Sequence, residues 1–486
     1  MSPFCLSTTP EPGLDLLSTR PPSSDLSDCL PFRPLVDRAD RPPNHSYSYL
    51  TIVISLVFII RVPLGFRAAA RLFVCLAPLL ALGQPAFTTL RTWLLRIGLF
   101  LLQRPLPLLA HGWILIVDHT VQLGQRKCFV VVGLPASELP RAGYRLPQTA
   151  VTVLLVEVMA HANKSQVYLA LQQAWQRVGT IVQVVSDHGA DVLGGVRLLQ
   201  ADHPALIATY DVRHMLACLL KAELGSDPRW TSFLEKCGAT LARLQQTAGN
   251  FLKPPKLRLK ARYMSVEQHL RWAQQVLAWE ATGAWEKLGA LVDKSATQAE
   301  QWFEQQLGWL REYRHELSEY RLLMDIVELA LKEVLGRGLS RQSAGRFWVL
   351  WQGQTSSLSL RVARFAEQVR AHVQAEGEKV PPGQTLLGSS DVIESLFGTF
   401  KERIKDHPGG ELGSSVLLLP LLTQTISPET IQEAFQTVNM SDVNAWAQKN
   451  LGETPQTRKR KLFNSTETQD RAETPDNVPE EGPKVA

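Results

Sequence analysis

Gly112-Trp-Ile-Leu-Ile-Val-Asp118 and Ile181-Val-Gln-Val-Val-Ser-Asp187 are short runs of β-branched and aliphatic residues, each closed by an aspartate. Runs of this kind, apolar almost throughout, read as strands buried on both faces. Each carboxylate is therefore expected at the C-terminal lip of a strand. A third acid, Glu394 in Ser389-Ser-Asp-Val-Ile-Glu-Ser-Leu-Phe-Gly-Thr-Phe-Lys401, opens an amphipathic helix far downstream. Hard divalent cations are held by carboxylates converging from separate elements, and a pair of such ions can clamp the attacking and leaving oxygens of a phosphodiester.

Working outward, Lys127–Gly133 and Ala150–Glu157 read as two more strands, and the short connections make an antiparallel meander with the first. A helix over 164–178 precedes the strand at 181–185. A helix over 190–199, a strand over 205–210 and a helix over 212–222 follow it. Three strands, then helix, strand, helix, strand, helix is the order of a ribonuclease H-like domain of mixed α/β class. In that order the first and fourth strands lie side by side, which sets Asp118 beside Asp187. Residues 223–385 read almost wholly helical, with Trp at 230, 272, 279, 285, 302, 309, 348 and 351 marking a helical core. The expected organisation is a catalytic core over 111–222, an α-helical insertion over 223–385, and the core's final helix region over 386–450.

Ahead of this, residues 47–110 read as a helical DNA-binding domain. Phe66–Ala77 carries apolar residues at helical spacing, Leu82-Gly-Gln-Pro85 is a turn, and Phe87–Gly98 makes a second helix. Two helices joined by a Gly-containing turn form a helix-turn-helix candidate, with Arg91 and Arg96 facing DNA. The ends, 1–46 and 451–486, are rich in Pro, Ser, Thr and acids and read as a disordered leader and tail; the tail carries one basic knot, Arg458-Lys-Arg-Lys461.

Length suggests about two to four domains. A net charge of +5 and a pI near 8.8 permit a nucleic-acid partner without demanding one. Six cysteines, at 5, 29, 75, 128, 218 and 237, form no CxxC pair and no zinc spacing with histidine, so reduced thiols in a cytoplasmic, nucleoid-associated protein are expected. Cys75 and Cys218 fall on apolar faces and read as core. The apolar run Tyr49–Ile60 is a dozen residues where a span needs roughly 20, so it reads as a buried helix, with no membrane.

Each acid also has a plainer reading. Asp at a strand end caps turns and helices, and Asp391-Val-Ile-Glu394 resembles a capping box. Asp191 and Asp391 read as helix-start residues. The conjunction of strand order, two strand-end aspartates and a later helical glutamate favours the metal site. Lys401, two helical turns beyond Glu394, shares its face and could hold a phosphate. Asp211 and His214, in Asp211-Val-Arg-His214, form an auxiliary pair whose plainer reading is a helix start. In Lys253-Pro-Pro-Lys-Leu-Arg-Leu-Lys-Ala-Arg262, an extended chain would put Lys256, Arg258, Lys260 and Arg262 on one edge, suited to phosphates.

From about residue 50 to 450 the chain resembles a DDE-type, insertion-sequence transposase. The Glu394-x6-Lys401 spacing is similar to the signature helix of one large bacterial group, although that group has Tyr and Arg where Leu387 and Ser390 stand. Asp211-Val-Arg-His214 resembles the Cys/Asp-x2-His motif of Mutator-type and hobo/Activator-type transposases, which also carry a helical insertion before the final Glu. The resemblance implies catalytic and metal-holding roles for Asp118, Asp187 and Glu394, two Mg2+ or Mn2+ ions, and double-stranded DNA partners, namely element ends and target. It also implies a homodimer or larger assembly on DNA. The alternatives are a ribonuclease H-like nuclease without strand transfer and a catalytically inactive DNA-binding protein derived from a transposase.

Overall fold

The computed structural model describes residues 40–80, 82–123, 126–257, 266–353, 359–404, 413–453 and 458–463. Three helices open it: α1 (Tyr49–Leu56), which runs on through a π-turn, α2 (Phe66–Leu80) and α3 (Phe87–Gln103). Ser48 starts α1 by accepting the N–H of Thr51. The apolar run is buried as expected, with Ile52, Val53, Leu56, Ile59 and Ile60 inside. Among the described residues no helix is long and apolar enough to cross a membrane.

Then come β1 (Trp113–Leu123), β2 (Arg126–Pro135), the one-turn α4 (Leu139–Ala142), β3 (Thr152–Met159), α5 (Lys164–Val178), β4 (Ile181–Ser186), α6 (Ala190–Asp202), β5 (Ile207–Tyr210) and α7 (Val212–Gly225). They build a five-stranded mixed sheet in the order β3-β2-β1-β4-β5. The first three strands are antiparallel, while β1 with β4 and β4 with β5 are parallel. The meander and the contact between first and fourth strands are those expected from the order of elements.

The two-residue period of the strands sorts the side chains into two cores. Ile114 and Ile116 of β1, Val130 and Val132 of β2 and Val185 of β4 pack against α1, α3 and the C-terminal helices. Leu115 and Val117, Phe129 and Val131, and Val184 pack on the opposite face beneath α5 and α6, against Val167, Leu171, Val192 and Val196.

The insertion comprises α8 (Pro228–Leu244), α9 (Val266–Glu280), α10 (Trp285–Val292), α11 (Ala296–Leu307), α12 (Arg314–Arg337), α13 (Ser343–Gln352) and α14 (Leu360–Glu378). With α7 it forms a core of its own around α12, including Tyr313, Tyr320, Phe347 and Trp351. Arg361 ties α14 to α7 and α8 through Glu223 and Asp227, each at 2.7 Å. After it, α15 (Asp391–Ile404), α16 (Leu419–Thr423), α17 (Pro428–Thr437) and α18 (Met440–Leu451) return to the first core.

Several expectations are corrected here. The helix expected to read DNA, α3, is instead the central strut of the first core, with Leu90, Trp93, Leu94, Ile97, Leu99 and Leu101 all buried. Arg96 donates to the carbonyls of Val438 (2.6 Å) and Phe435 (2.8 Å), and its guanidinium lies over the Phe435 ring. Arg96 therefore closes the C-terminal end of α17 rather than facing a partner. Arg91, exposed at the rim, donates to Ser414 at 2.8 Å. Residues 49–102 share one core with the sheet and helices α15–α18, not a core of their own. Cys75 and Cys218 are exposed, whereas Cys128 and Cys237 are the buried thiols among the described residues. Burial pushes the Cys128 thiol up to about 12.

Gly98 marks how tightly α3 is held: a Cβ there would lie 2.0 Å from the carbonyl oxygen of Leu417. Alanine normally improves a helix interior by about 1 kcal/mol over glycine, but overpacking costs about 1–3 kcal/mol. Gly98→Ala should therefore destabilise the protein. Gly238→Ala in α8, where a Cβ meets nothing within 4 Å, should stabilise it by about 0.5–1 kcal/mol. Urea unfolding of the two variants should show opposite shifts in midpoint.

Candidate active site

One polar residue inside a buried strand sets the site. Gln183 of β4 is fully buried. Its side-chain amide donates to the carbonyl of Leu387 (2.6 Å) and to Thr209 Oγ1 (2.7 Å), while its Oε1 accepts the N–H of Leu387 (3.2 Å). The side chain thus pairs with the backbone leading into α15 as a neighbouring strand would. One strand over, Asp211 is also fully buried and begins α7. Its carboxylate accepts from the N–H of Arg213 (3.0 Å), Ser389 Oγ (3.2 Å) and Ser390 Oγ (2.8 Å). Val212 N–H donates to Gly388 (2.9 Å), and Arg213 pairs with Asp391 at 2.6 Å. The start of α15 is thereby fastened across the ends of β4 and β5.

The three acids singled out from the sequence come from β1, from the residue after β4 and from α15. Asp118 follows Ile114 and Ile116 on the same face of β1, and it pairs in register with Val130 of that core. Contrary to expectation it lies within the strand, because β1 continues to Leu123 alongside β2. The parallel pairing with β4 nevertheless stops at Ile116, so at Asp118 only β2 still flanks the strand, and the residue is half-buried. Its Oδ1 accepts the N–H of His119 at 2.6 Å. Asp187 is one residue beyond β4, in step with Gln183 and Val185, and its Oδ1 accepts the N–H of Gly189 at 3.0 Å. Glu394, half-buried in the first turn of α15, belongs to the helix whose Val392, Ile393, Leu396 and Phe397 enter the same core.

Asp191, the other aspartate of Ser186-Asp-His-Gly-Ala-Asp191, stands near Asp187: a Cβ on Gly189 would lie 3.4 Å from Asp187 Oδ1 and 3.3 Å from Asp191 Oδ1. It accepts the N–H of Val192 at the start of α6. It also lies 3.1 Å from Nε2 of His119, whose ring tilts over Phe129 of the α5/α6 core, and 3.2 Å from Lys127. Burial resists ionisation of Asp191, yet His119, Lys127 and the Val192 N–H outweigh it and hold the carboxyl below its usual range. Burial pushes His119 down despite Asp191 beside it.

All-oxygen donors from β1, the end of β4 and α15 have the chemistry that hard divalent cations require. Among the described residues, however, no group of three or more His, Cys, Asp or Glu is gathered closely enough to hold a metal ion. The three acids come from neighbouring elements without forming such a cluster.

Lys401 is exposed in the last turn of α15. His214 meets the ring of Tyr210, with centroids 5.8 Å apart. Lys256 is exposed, while Arg258, Lys260 and Arg262 lie outside the described residues. Gln183 and the Ser389–Ser390 pair were missed from the sequence. The signal for Gln183 was a lone amide in the middle of an apolar strand, which must find buried partners.

No family model matches the chain, and no curated protein does. Among solved structures it is similar to a Drosophila P element transposase strand transfer complex, with 13% identity, a TM-score of 0.37, and coverage of 78% of this chain and 93% of that one.

Replacing Gln183 by Leu keeps the volume but strands the N–H and C=O of Leu387. Each buried orphan costs about 1–3 kcal/mol, so Gln183→Leu should lower stability by about 2–5 kcal/mol. Amide exchange at residues 386–391 should quicken, while that of the core around α12 stays slow.

Proposed function

We propose that the five-stranded layer is a ribonuclease H-like catalytic core and that the chain is a DDE-type DNA transposase. It would cut the ends of a mobile element and join them to target DNA. The supporting observation is that Asp118, Asp187 and Glu394, remote in sequence, are carried by β1, by the residue after its neighbour β4, and by the helix α15 that Gln183 and Asp211 fasten across the ends of β4 and β5. Mg2+ or Mn2+ bound there would supply charge stabilisation for the phosphodiester oxygens and a lowered pKa for a water. Asp118 would hold the ions from the central strand, Asp187 from the end of β4, and Glu394 from the helix above.

Arg213, by pairing with Asp391, orients the turn of α15 that carries Glu394. Lys401, two turns further along the helix, would take a phosphate of the substrate. Asp211 serves as the anchor of α15 and stays out of the chemistry. Lys256, with Arg258, Lys260 and Arg262, would contact the DNA backbone. Strand transfer rather than simple hydrolysis would follow when a freed 3′ hydroxyl takes the place of water.

A second reading, a DNA-binding protein without catalysis, is favoured by one observation: the acids do not form a closed cluster among the described residues. Nicking of supercoiled DNA in Mg2+ or Mn2+ separates the two. Asp118→Asn, Asp187→Asn and Glu394→Gln should each reduce nicking by about 10²-fold or more, the scale of several kcal/mol of charge stabilisation, with DNA binding retained. Asp191→Asn should cut nearly as well as the parent. Loss in Asp191→Asn with none in Asp187→Asn would refute the assignment, and retained binding with no nicking by the parent would establish the second reading.

A further inference from the structure

The residue after Asp187 departs from the strand it ends. His188 has a φ of +58°, in the left-handed region where histidine is tolerated but uncommon. Strand alternation would have turned its ring under α5 and α6, opposite Asp187. The left-handed turn instead lays it flat on Tyr210 at the end of β5, with centroids 4.1 Å apart and planes within 12°. Tyr210 is itself held firmly. Its N–H donates to Glu376 at 2.8 Å, and its ring also meets that of His214.

His188 is half-exposed and borders a recess of about 410 Å³ between α6, the start of β5 and the end of α14. Leu193, Leu206 and Ala208 give the recess apolar walls, and Arg197 and Lys379 stand at it as exposed cations. Lys379 is paired with Glu376 at 2.6 Å, which fixes its position beside the stack.

We propose that His188 is a stacking platform for an unpaired nucleotide of the DNA strand that passes Asp187, with Arg197 and Lys379 taking the phosphate beside it. The inference rests on the catalytic reading above and adds to it the state of the substrate next to the cut: a base out of its stack. Aromatic faces backed by a second ring accept any base, because every base has a π-face. The recess is within the roughly 300–1,000 Å³ typical of small-ligand sites. Ile207 and Ala208 of β5, the edge strand of the sheet, line it together with α6.

The test uses the full chain with a chelator present, so that binding is read without chemistry. The probe is a duplex with a short single-stranded flank carrying 2-aminopurine, whose fluorescence falls on stacking. The parent should quench it on binding. His188→Asn tolerates the left-handed backbone but has no ring, and should bind roughly 5- to 100-fold more weakly with the quench abolished, the scale of one base stacked on one aromatic. His188→Phe should restore the quench, although it strains the turn. The double change Arg197→Ala with Lys379→Ala should flatten log K against log[salt] by about 0.7 for each single-strand phosphate that is no longer neutralised.

Equal quench and affinity in the parent and His188→Asn would overturn the platform while leaving the carboxylate site standing. A mononucleotide that competes as strongly as the flanked duplex would overturn passage of a strand. Failure of the parent to bind DNA at all would overturn both. Loss of quench in His188→Asn alongside nicking that is indifferent to Asp118→Asn would uphold the platform and refute the catalytic reading alone.

Discussion

Everything at the candidate site depends on one pairing: the side-chain amide of Gln183 against the backbone of Leu387. A primary amide inside an apolar strand is costly unless both its ends are satisfied. Here the donor and acceptor are met by the carbonyl and N–H of a residue more than two hundred positions away, with Thr209 sharing the donor. The buried carboxylate of Asp211 repeats the device one strand over, with the hydroxyls of Ser389 and Ser390 and the N–H of Arg213. Removing either partner would strand a buried polar group, so the pairing is both a stabiliser and a register mark. It fixes where α15 begins, and with it the height at which Glu394 is carried above the sheet.

This fastening explains how a large insertion can split the sheet layer. The chain leaves it through α7 and comes back at Gly388, which accepts the N–H of Val212, the first residue of that same helix. Entry and exit are adjacent, so the insertion closes a loop whose ends are already pinned, and closure entropy grows only slowly with length. The insertion has its own core around α12 and needs little from the sheet. At the start of α6, Asp191 is held by His119 and Lys127. Asp187 and Asp191 are only four residues apart in sequence, and these partners are what distinguishes the second from the first.

Much of this was legible in the residues. The two-residue period and β-branched runs located the five strands of the described residues, and the change to helical spacing located α5 at both ends and the starts of α6 and α7, where Asn163, Gly189 and Asp211 stand, while each of the latter two runs three residues further than expected. What failed were inferences about which surface a helix presents. Helix α3 carries Arg91 and Arg96 at spacings that suit a DNA contact, but its apolar residues cover nearly the whole circumference, and Arg96 is spent on the carbonyls of α17. A helix apolar all round is a buried one, and that sign was present in Trp93-Leu-Leu-Arg-Ile-Gly-Leu99. The length of β1 was also hidden: Asp118 and His119 interrupt its apolar run, yet β2 continues beside it. Cys75 and Cys218 show the converse error, since an apolar neighbourhood in sequence does not bury a residue on the outer side of a helix.

The central proposal is that Asp118, Asp187 and Glu394 act as one unit. Titration of the full chain with Mn2+, followed by electron paramagnetic resonance of the free ion, tests it most directly. The account predicts about two Mn2+ bound per chain, the stoichiometry of a two-metal phosphodiester site, with binding weakened at least tenfold in Asp118→Asn, Asp187→Asn and Glu394→Gln and unchanged in Asp191→Asn. An intact chain that binds no Mn2+, or whose binding is indifferent to Glu394→Gln, would contradict it.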